Sequence, residues 1–214
     1  WITPFVATGG VNILNGFITM NGAKVVDAPL TILAAGTVKG LLSDNFALTL
    51  GGNYINNGGS VDFGSSAITI SGTGSQTIYV FTTTGTVTVT KTAGTATLAG
   101  TVSDPPDPAT DDLNTGQFIL NGSGAAINTG GKNIKATGTL TMLANAEITL
   151  TASSDTLTFA DSHSASWTGG TMLTIKGWTG LWNGTAGTNG RIFVGTSSGG
   201  LTGTQLAQIR FYDA

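Results

Sequence analysis

The sequence predicts an all-β chain wound as a right-handed parallel β-helix, a β-solenoid with about three short strands per coil. Three observations carry that expectation. Short runs that alternate apolar and polar residues recur along almost the whole chain. Gly and Asn punctuate those runs. Charged residues make up only 9% of the 214, against about 25% in an ordinary soluble domain.

The alternating runs come in this order. The first half holds Asn12-Ile13-Leu14, Phe17-Ile18-Thr19-Met20, Leu30-Thr31-Ile32-Leu33 and Phe46-Ala47-Leu48-Thr49-Leu50, then Ser60-Val61-Asp62-Phe63, Ala67-Ile68-Thr69-Ile70, Thr77-Ile78-Tyr79-Val80 and Thr86-Val87-Thr88-Val89-Thr90. Later come Thr95-Ala96-Thr97-Leu98, Phe118-Ile119-Leu120, Asn133-Ile134-Lys135-Ala136, Thr139-Leu140-Thr141-Met142, Glu147-Ile148-Thr149-Leu150 and Thr156-Leu157-Thr158-Phe159. A period of two over so short a run marks a strand with one buried face. Val87 and Val89 are expected inside, with Thr86, Thr88 and Thr90 outside, because a β-branched hydroxyl side chain suits a wet pleated surface.

Between the runs stand Gly9-Gly10, Asn15-Gly16, Asn21-Gly22, Gly51-Gly52, Asn56-Asn57-Gly58-Gly59, Asn121-Gly122 and Gly130-Gly131. These residues tolerate the positive φ that sharp corners need. An antiparallel sandwich is the main structural rival, but it favours longer strands, of about five or six residues.

Two stretches depart from the pattern. Residues 104–112 hold Pro105, Pro106 and Pro108 among the five prolines of the chain, with Asp104, Asp107, Asp111 and Asp112. Proline cannot donate to a ladder, so a loop or linker is expected there. From Trp167 onward the chain gathers Trp167, Trp178 and Trp182. Leu201-Thr202-Gly203-Thr204-Gln205-Leu206-Ala207-Gln208-Ile209 reads as a helix capped by Thr202 or Thr204, and Arg210-Phe211-Tyr212 as a last strand. The organisation expected is therefore an N-terminal β segment at 1–59 (first coils or an assembly region), a solenoid body at 60–166 with the acidic Pro-rich loop, and an aromatic-rich cap at 167–214.

Composition narrows the function. A net charge of −3 with eight scattered Lys and Arg offers no basic stripe for nucleic acid. No apolar run reaches the ~18–20 residues of a membrane-spanning helix. Cysteine is absent, so stability is expected from packing and backbone ladders rather than from disulfides. Trp1 reads as the start of a processed chain or of a piece of a longer one.

Gly72-Thr73-Gly74-Ser75-Gln76-Thr77-Ile78 and the run Val87 to Leu98 resemble the coils of autotransporter-like bacterial surface β-helix proteins. The tail from Leu173-Thr174-Ile175-Lys176-Gly177-Trp178, through Arg191-Ile192-Phe193-Val194-Gly195, to Phe211-Tyr212 is similar to the terminal segment of passenger-like β-helices in proteins with PEP-CTERM or related sorting tails. The likeness covers most of residues 60–214, while 1–59 match in texture alone. It implies export, a parallel β-helix and a place on the cell surface or in the extracellular matrix.

Chemical candidates are few. His163 is the sole histidine and sits in a Ser-rich turn beside Asp161, with no nucleophile elbow elsewhere. The grouped acids that sugar-cleaving β-helix enzymes require are missing from the strands, so no enzymatic activity and no cofactor are expected. Asp104, Asp107, Asp111 and Asp112 form a weak calcium candidate whose spacing matches no known calcium loop. Thr86/Thr88/Thr90, Thr95/Thr97, Thr137/Thr139/Thr141, Thr149/Thr151 and Thr156/Thr158 raise an ice-binding reading, but they fall at irregular intervals.

The expected role is a secreted structural subunit that self-associates into an extracellular filament or sheath, with Phe5, Val6, Phe211 and Tyr212 as assembly residues. The alternative is an adhesin module binding glycan or matrix on a lateral face, for which Trp167, Trp178 and Trp182 are candidate ligand or cap aromatics.

Overall fold

A computed structural model describes residues 6–7, 9–13, 16–32, 39–100, 112–179 and 190–212. The chain is a parallel β-solenoid. Its first face stacks Val6–Ala7, Lys24–Val26, Leu48–Leu50, Ile68–Ile70, Thr86–Val89, Gln117–Leu120 and Leu140–Met142. The second stacks nine strands: Val11–Ile13, Leu30–Ile32, Tyr54–Asn56, Gln76–Tyr79, Ala96–Ala99, Ala125–Asn128, Ala146–Thr149, Leu173–Lys176 and Ile209–Tyr212. The third runs in two pieces. Gly16–Thr19, Lys39–Leu42 and Ser60–Asp62 form one, and Leu113–Thr115, Ile134–Ala136, Thr156–Phe159 and Arg191–Val194 the other. An isolated parallel bridge from Thr82 to Asn114 carries the third face across the gap.

Every strand pairing among the described residues is parallel. Hairpins cannot produce that pattern, because a hairpin reverses direction. The Asn-Gly pairs are therefore corners. Each backbone reaches one coil down and one coil up at ~4.8 Å spacing. The ladders cross residue 59 without interruption: Leu48 pairs Ile68 on the first face and Tyr54 pairs Ile78 on the second.

In-register stacking turns alternation within a strand into columns along the axis. Leu48, Ile68, Val87, Phe118 and Leu140 form one inward column; Leu50, Ile70, Val89, Leu120 and Met142 form another. All ten are buried, while Thr86, Thr88 and Thr90 lie on the outer surface, half covered. Removing these aliphatic columns from water is the main favourable contribution to folding.

Polar groups occupy the corners. Between the third and first faces, buried Ser43 Oγ donates to Phe63 O (2.8 Å), Ser66 Oγ to Ser43 Oγ (2.6 Å), Thr83 Oγ1 to Ser66 O (2.8 Å) and Thr115 Oγ1 to Gln117 O (2.8 Å). Three of those hydroxyls satisfy backbone carbonyls at the turn, as buried backbone groups require, and the Ser66 hydroxyl donates to that of Ser43. Gly85, Gly116 and Gly138 occupy this same corner, where an added Cβ would collide with the carbonyl of the coil beneath. Only glycine allows coils to approach so closely there.

At the corner between the first and second faces, Lys91 is fully buried. Its Nζ donates to Gly74 O (2.7 Å) and to Gln76 Oε1 (2.8 Å), and Gln76 Nε2 donates to Gly52 O (2.8 Å). One lysine and one glutamine thus tie three coils together. Burial pushes the Lys91 ammonium below its ordinary value of 10.5. Lys24 takes an inward position too. It pairs with core residue Leu48, is 1% exposed, and donates from Nζ to Asn21 Oδ1 (3.1 Å).

An aromatic cluster fills the lumen near the middle of the stack. Tyr54, Phe63 and Phe81 meet with ring centroids 5.2–6.0 Å apart, two of the three contacts edge-on, the geometry aromatic quadrupoles favour. The Tyr54 hydroxyl is buried without a hydrogen-bond partner, and burial raises its pKa well above the usual phenol value.

The expected C-terminal helix is shorter than the sequence suggests. It spans Gly203–Leu206, with Thr202 as N-cap and a capping box closed by Gln205. It is one turn long because the chain must rejoin the second face directly afterwards. Leu173 N donates to Gln208 O (2.8 Å), and Ile209–Tyr212 pairs with Leu173–Lys176.

Two outcomes test this packing. Tyr54→Phe keeps the ring contacts and removes an unpartnered hydroxyl, so the urea midpoint should rise by the equivalent of about 1–3 kcal/mol; a fall would show that the hydroxyl has a partner in solution. Lys91 sets a pH dependence. Its folded pKa lies below its unfolded one, so the unfolded chain holds the proton more tightly, and stability rises with pH between the lowered value and 10.5. Wild type should therefore gain on Lys91→Met as pH climbs through that alkaline window. Parallel stability curves for the two proteins would contradict the desolvated lysine.

Candidate functional site

Among the described residues, the clearest concentration of exposed apolar surface lies on the last described coils. Five large hydrophobic side chains are exposed among the described residues: Phe46, Phe193, Leu206, Phe211 and Tyr212. All except Phe46 belong to the last rungs or the short helix beside them. Phe193 lies on the final strand of the third face, and Phe211 and Tyr212, each more than half exposed, lie on the final strand of the second. A cavity of about 250 Å³ opens here among Leu173, Ile175, Ile192, Val194, Ile209 and Phe211. Its walls continue the inward columns of the last described coils.

This end is rigidly built. Gln205 Nε2 donates to Ser162 O (2.9 Å) and Ala165 O (3.2 Å); Gln208 Nε2 donates to Thr168 O (2.7 Å) and Thr171 O (3.1 Å). Both glutamines are buried, and they fasten the helix turn to the loop before the last coil. Trp178 leans on Phe211, with ring centroids 5.0 Å apart. Trp167 donates its indole N–H to Leu140 O (3.0 Å) and bridges Met142, adding a last rung to the first face. Both rings are half-buried against the core. Trp182 lies outside the described residues.

Of the assembly candidates, Phe211 and Tyr212 are neighbours on the last described strand of the second face, both exposed. Phe5 lies outside the described residues, and Val6 is described only as part of a strand pairing with Val25. Of the calcium candidates, Asp104, Asp107 and Asp111 lie outside the described residues. Asp112 is 1% exposed, with Oδ1 accepting from Asn133 Nδ2 (2.6 Å) and Oδ2 meeting Lys135 Nζ at 2.5 Å. Among the described residues no group of three or more His, Asp or Glu is placed to hold a metal ion. Asp112 acts as a staple between coils, since Leu113 and Ile134 are register partners. A comparable staple forms where buried Asp155 accepts from Thr129 Oγ1 and from the backbone N–H of Thr151 (2.7 Å) and Ala152 (2.9 Å). The sequence offered no periodic signal for these inward carboxylates.

His163 and Asp161 face each other at an exposed turn, 2.7 Å apart. Hydrogen bonds from the His163 backbone N–H and then its ring hold the Asp161 carboxyl below the usual range. Ser162 between them is buried, donating to Ala160 O (2.8 Å) and accepting from Leu140 N (2.9 Å). Its hydroxyl is committed to the backbone.

The threonine pairs distribute over all three faces. Thr49, Thr69 and Thr88 stand in register on consecutive coils of the first face, and after Ile119 the column resumes at Thr141. Gln117 Nε2 lies across Thr139 and Thr141, 3.1 and 3.3 Å from their hydroxyls. Thr97 and Thr149 belong to the second face and Thr158 to the third. No protein-family model, curated protein or solved structure matches this chain.

Lys135→Met tests the coil staple. It leaves a buried carboxylate with one amide donor, and the unfolding free energy should fall by about 1–3 kcal/mol, toward the low end because the lysine is half exposed. Adding Asp112→Asn should restore most of the loss. An unchanged urea midpoint in the single variant would show that the pair contributes nothing.

Proposed function

We propose that the chain is a secreted, non-catalytic structural protein of a bacterial surface, and that its solenoids join end to end into an extracellular filament or sheath. The observation supporting this reading is the last described coil: Ile209–Tyr212 is the outermost described strand of the second face, an apolar cavity lies beside it, and four large hydrophobic side chains are exposed on or near it. An exposed edge of backbone N–H and C=O groups templates a further strand.

The occupant that fits is a second copy of the chain. A solenoid keeps a similar cross-section along its axis, so Val11–Ile13, the first described strand of the second face, is the segment of a second copy that would stack there at matching spacing. Apolar columns then continue from one copy into the next, and the low charge density of the chain opposes that approach only weakly. The resemblance of the coils and tail to autotransporter-like and PEP-CTERM-type surface proteins agrees with export.

Phe211→Glu places a charge in the proposed joint while leaving the middle coils untouched. Purified wild-type chain should form ordered filaments in negative stain, and the variant should remain monomeric by light scattering with an unchanged circular dichroism spectrum. Filaments from the variant, or monomers from wild type at high concentration, would overturn end-to-end docking.

A further inference from the structure

Lys24 opens the first-face strand Lys24–Val26 with its side chain turned inward and 1% exposed. Its Nζ donates to Asn21 Oδ1 at 3.1 Å, a neutral amide oxygen. The ion pairs among the described residues are Lys135–Asp112, His163–Asp161 and Lys176–Glu147, and none of them reaches Lys24. Lys91, the other buried lysine, has two acceptors. A buried charge is costly unless it is paired. The corner at Lys24 is therefore one negative charge short.

The residue that faces this ammonium can supply the missing charge. Asn21 is exposed at a bend just before the strand, and Gly22 follows it without a side chain. A Cβ added at Gly22 would lie 3.7 Å from Lys24 Nζ, so the ammonium sits beside both residues. We propose that Asn21–Gly22 is a self-modifying site, at which the Asn21 amide is hydrolysed to a carboxylate that neutralises Lys24.

The Gly22 backbone nitrogen attacks Asn21 Cγ and gives its proton to solvent. The Cγ–Nδ2 bond breaks, and the nitrogen leaves as ammonia after taking a proton from solvent. Water then opens the cyclic imide at either carbonyl. The net change converts one amide and one water into one carboxylate and one ammonium ion. Lys24 favours this twice. Negative charge develops on Oδ1 during the attack, and the ammonium already donates to that atom. The product carboxylate then makes a charge-assisted bond to the same Nζ in place of a neutral one. Glycine assists because its backbone adopts the conformation that ring closure needs without a Cβ in the way.

The chain holds its own comparison in Asn57–Gly58, likewise an exposed bend, whose amide bonds no lysine among the described residues. Folded protein is incubated at mildly alkaline pH in water enriched in heavy oxygen, which marks each conversion, and the peptides are read by mass spectrometry. Asn21 should convert at least about tenfold faster than Asn57, and Lys24→Met should remove the difference. In urea-unfolded wild type the two asparagines should convert at similar rates, and Asn21→Asp should raise the urea midpoint of the folded chain. Equal rates in the folded chain, a Lys24→Met variant that converts Asn21 as fast as wild type, or the same lead of Asn21 in the unfolded chain would each overturn activation by Lys24. A lower midpoint for Asn21→Asp would overturn the neutralisation.

Discussion

The parallel backbone ladder between coils is the constraint from which the rest of the structure follows. A strand three or four residues long makes too few hydrogen bonds to hold a sheet by itself. Stacked, it bonds above and below, and each coil is stabilised by its neighbours. The ladder also fixes the distance between coils, so whatever occupies a position in one coil is repeated a rung away in the next. Inward columns of Leu, Ile and Val, outward columns of Thr and a corner column of Gly all express that one spacing.

Corners are where the ladder fails and where the chain uses its polar residues. Turning the backbone strands carbonyls inside the wall, away from water. Ser43, Ser66, Thr83 and Thr115 answer them at one corner, Lys91 and Gln76 at a second, and Asp155 with Asp112 near the third. These groups are expensive to bury alone and favourable only as complete networks. They explain how a chain without cysteine fixes its coils in register.

The same repetition that builds the wall carries its inward columns through to the last described coil. There an apolar cavity lies beside Phe211, the feature on which the proposed stacking of a second copy rests.

The sequence by itself determined the class of structure. Val87 and Val89 between threonines, with Gly-Asn corners and so little charge, specify short half-buried strands, since alternation is a local property that the pleat converts directly into inside and outside. Several strands gave no such signal. Lys24–Val26 begins with an inward lysine, and Ala125–Asn128 offers small residues with little contrast, yet both enter the ladders because neighbouring coils pair with them. The tertiary structure alone decided which threonines share a face, that Asp112 serves Lys135 and Asn133, and that Phe193, Leu206, Phe211 and Tyr212 stay exposed on the last described coils. Each of those facts joins residues in different coils. Coils of unequal length hide that proximity from any fixed sequence interval, and only the closed winding of the chain brings it about.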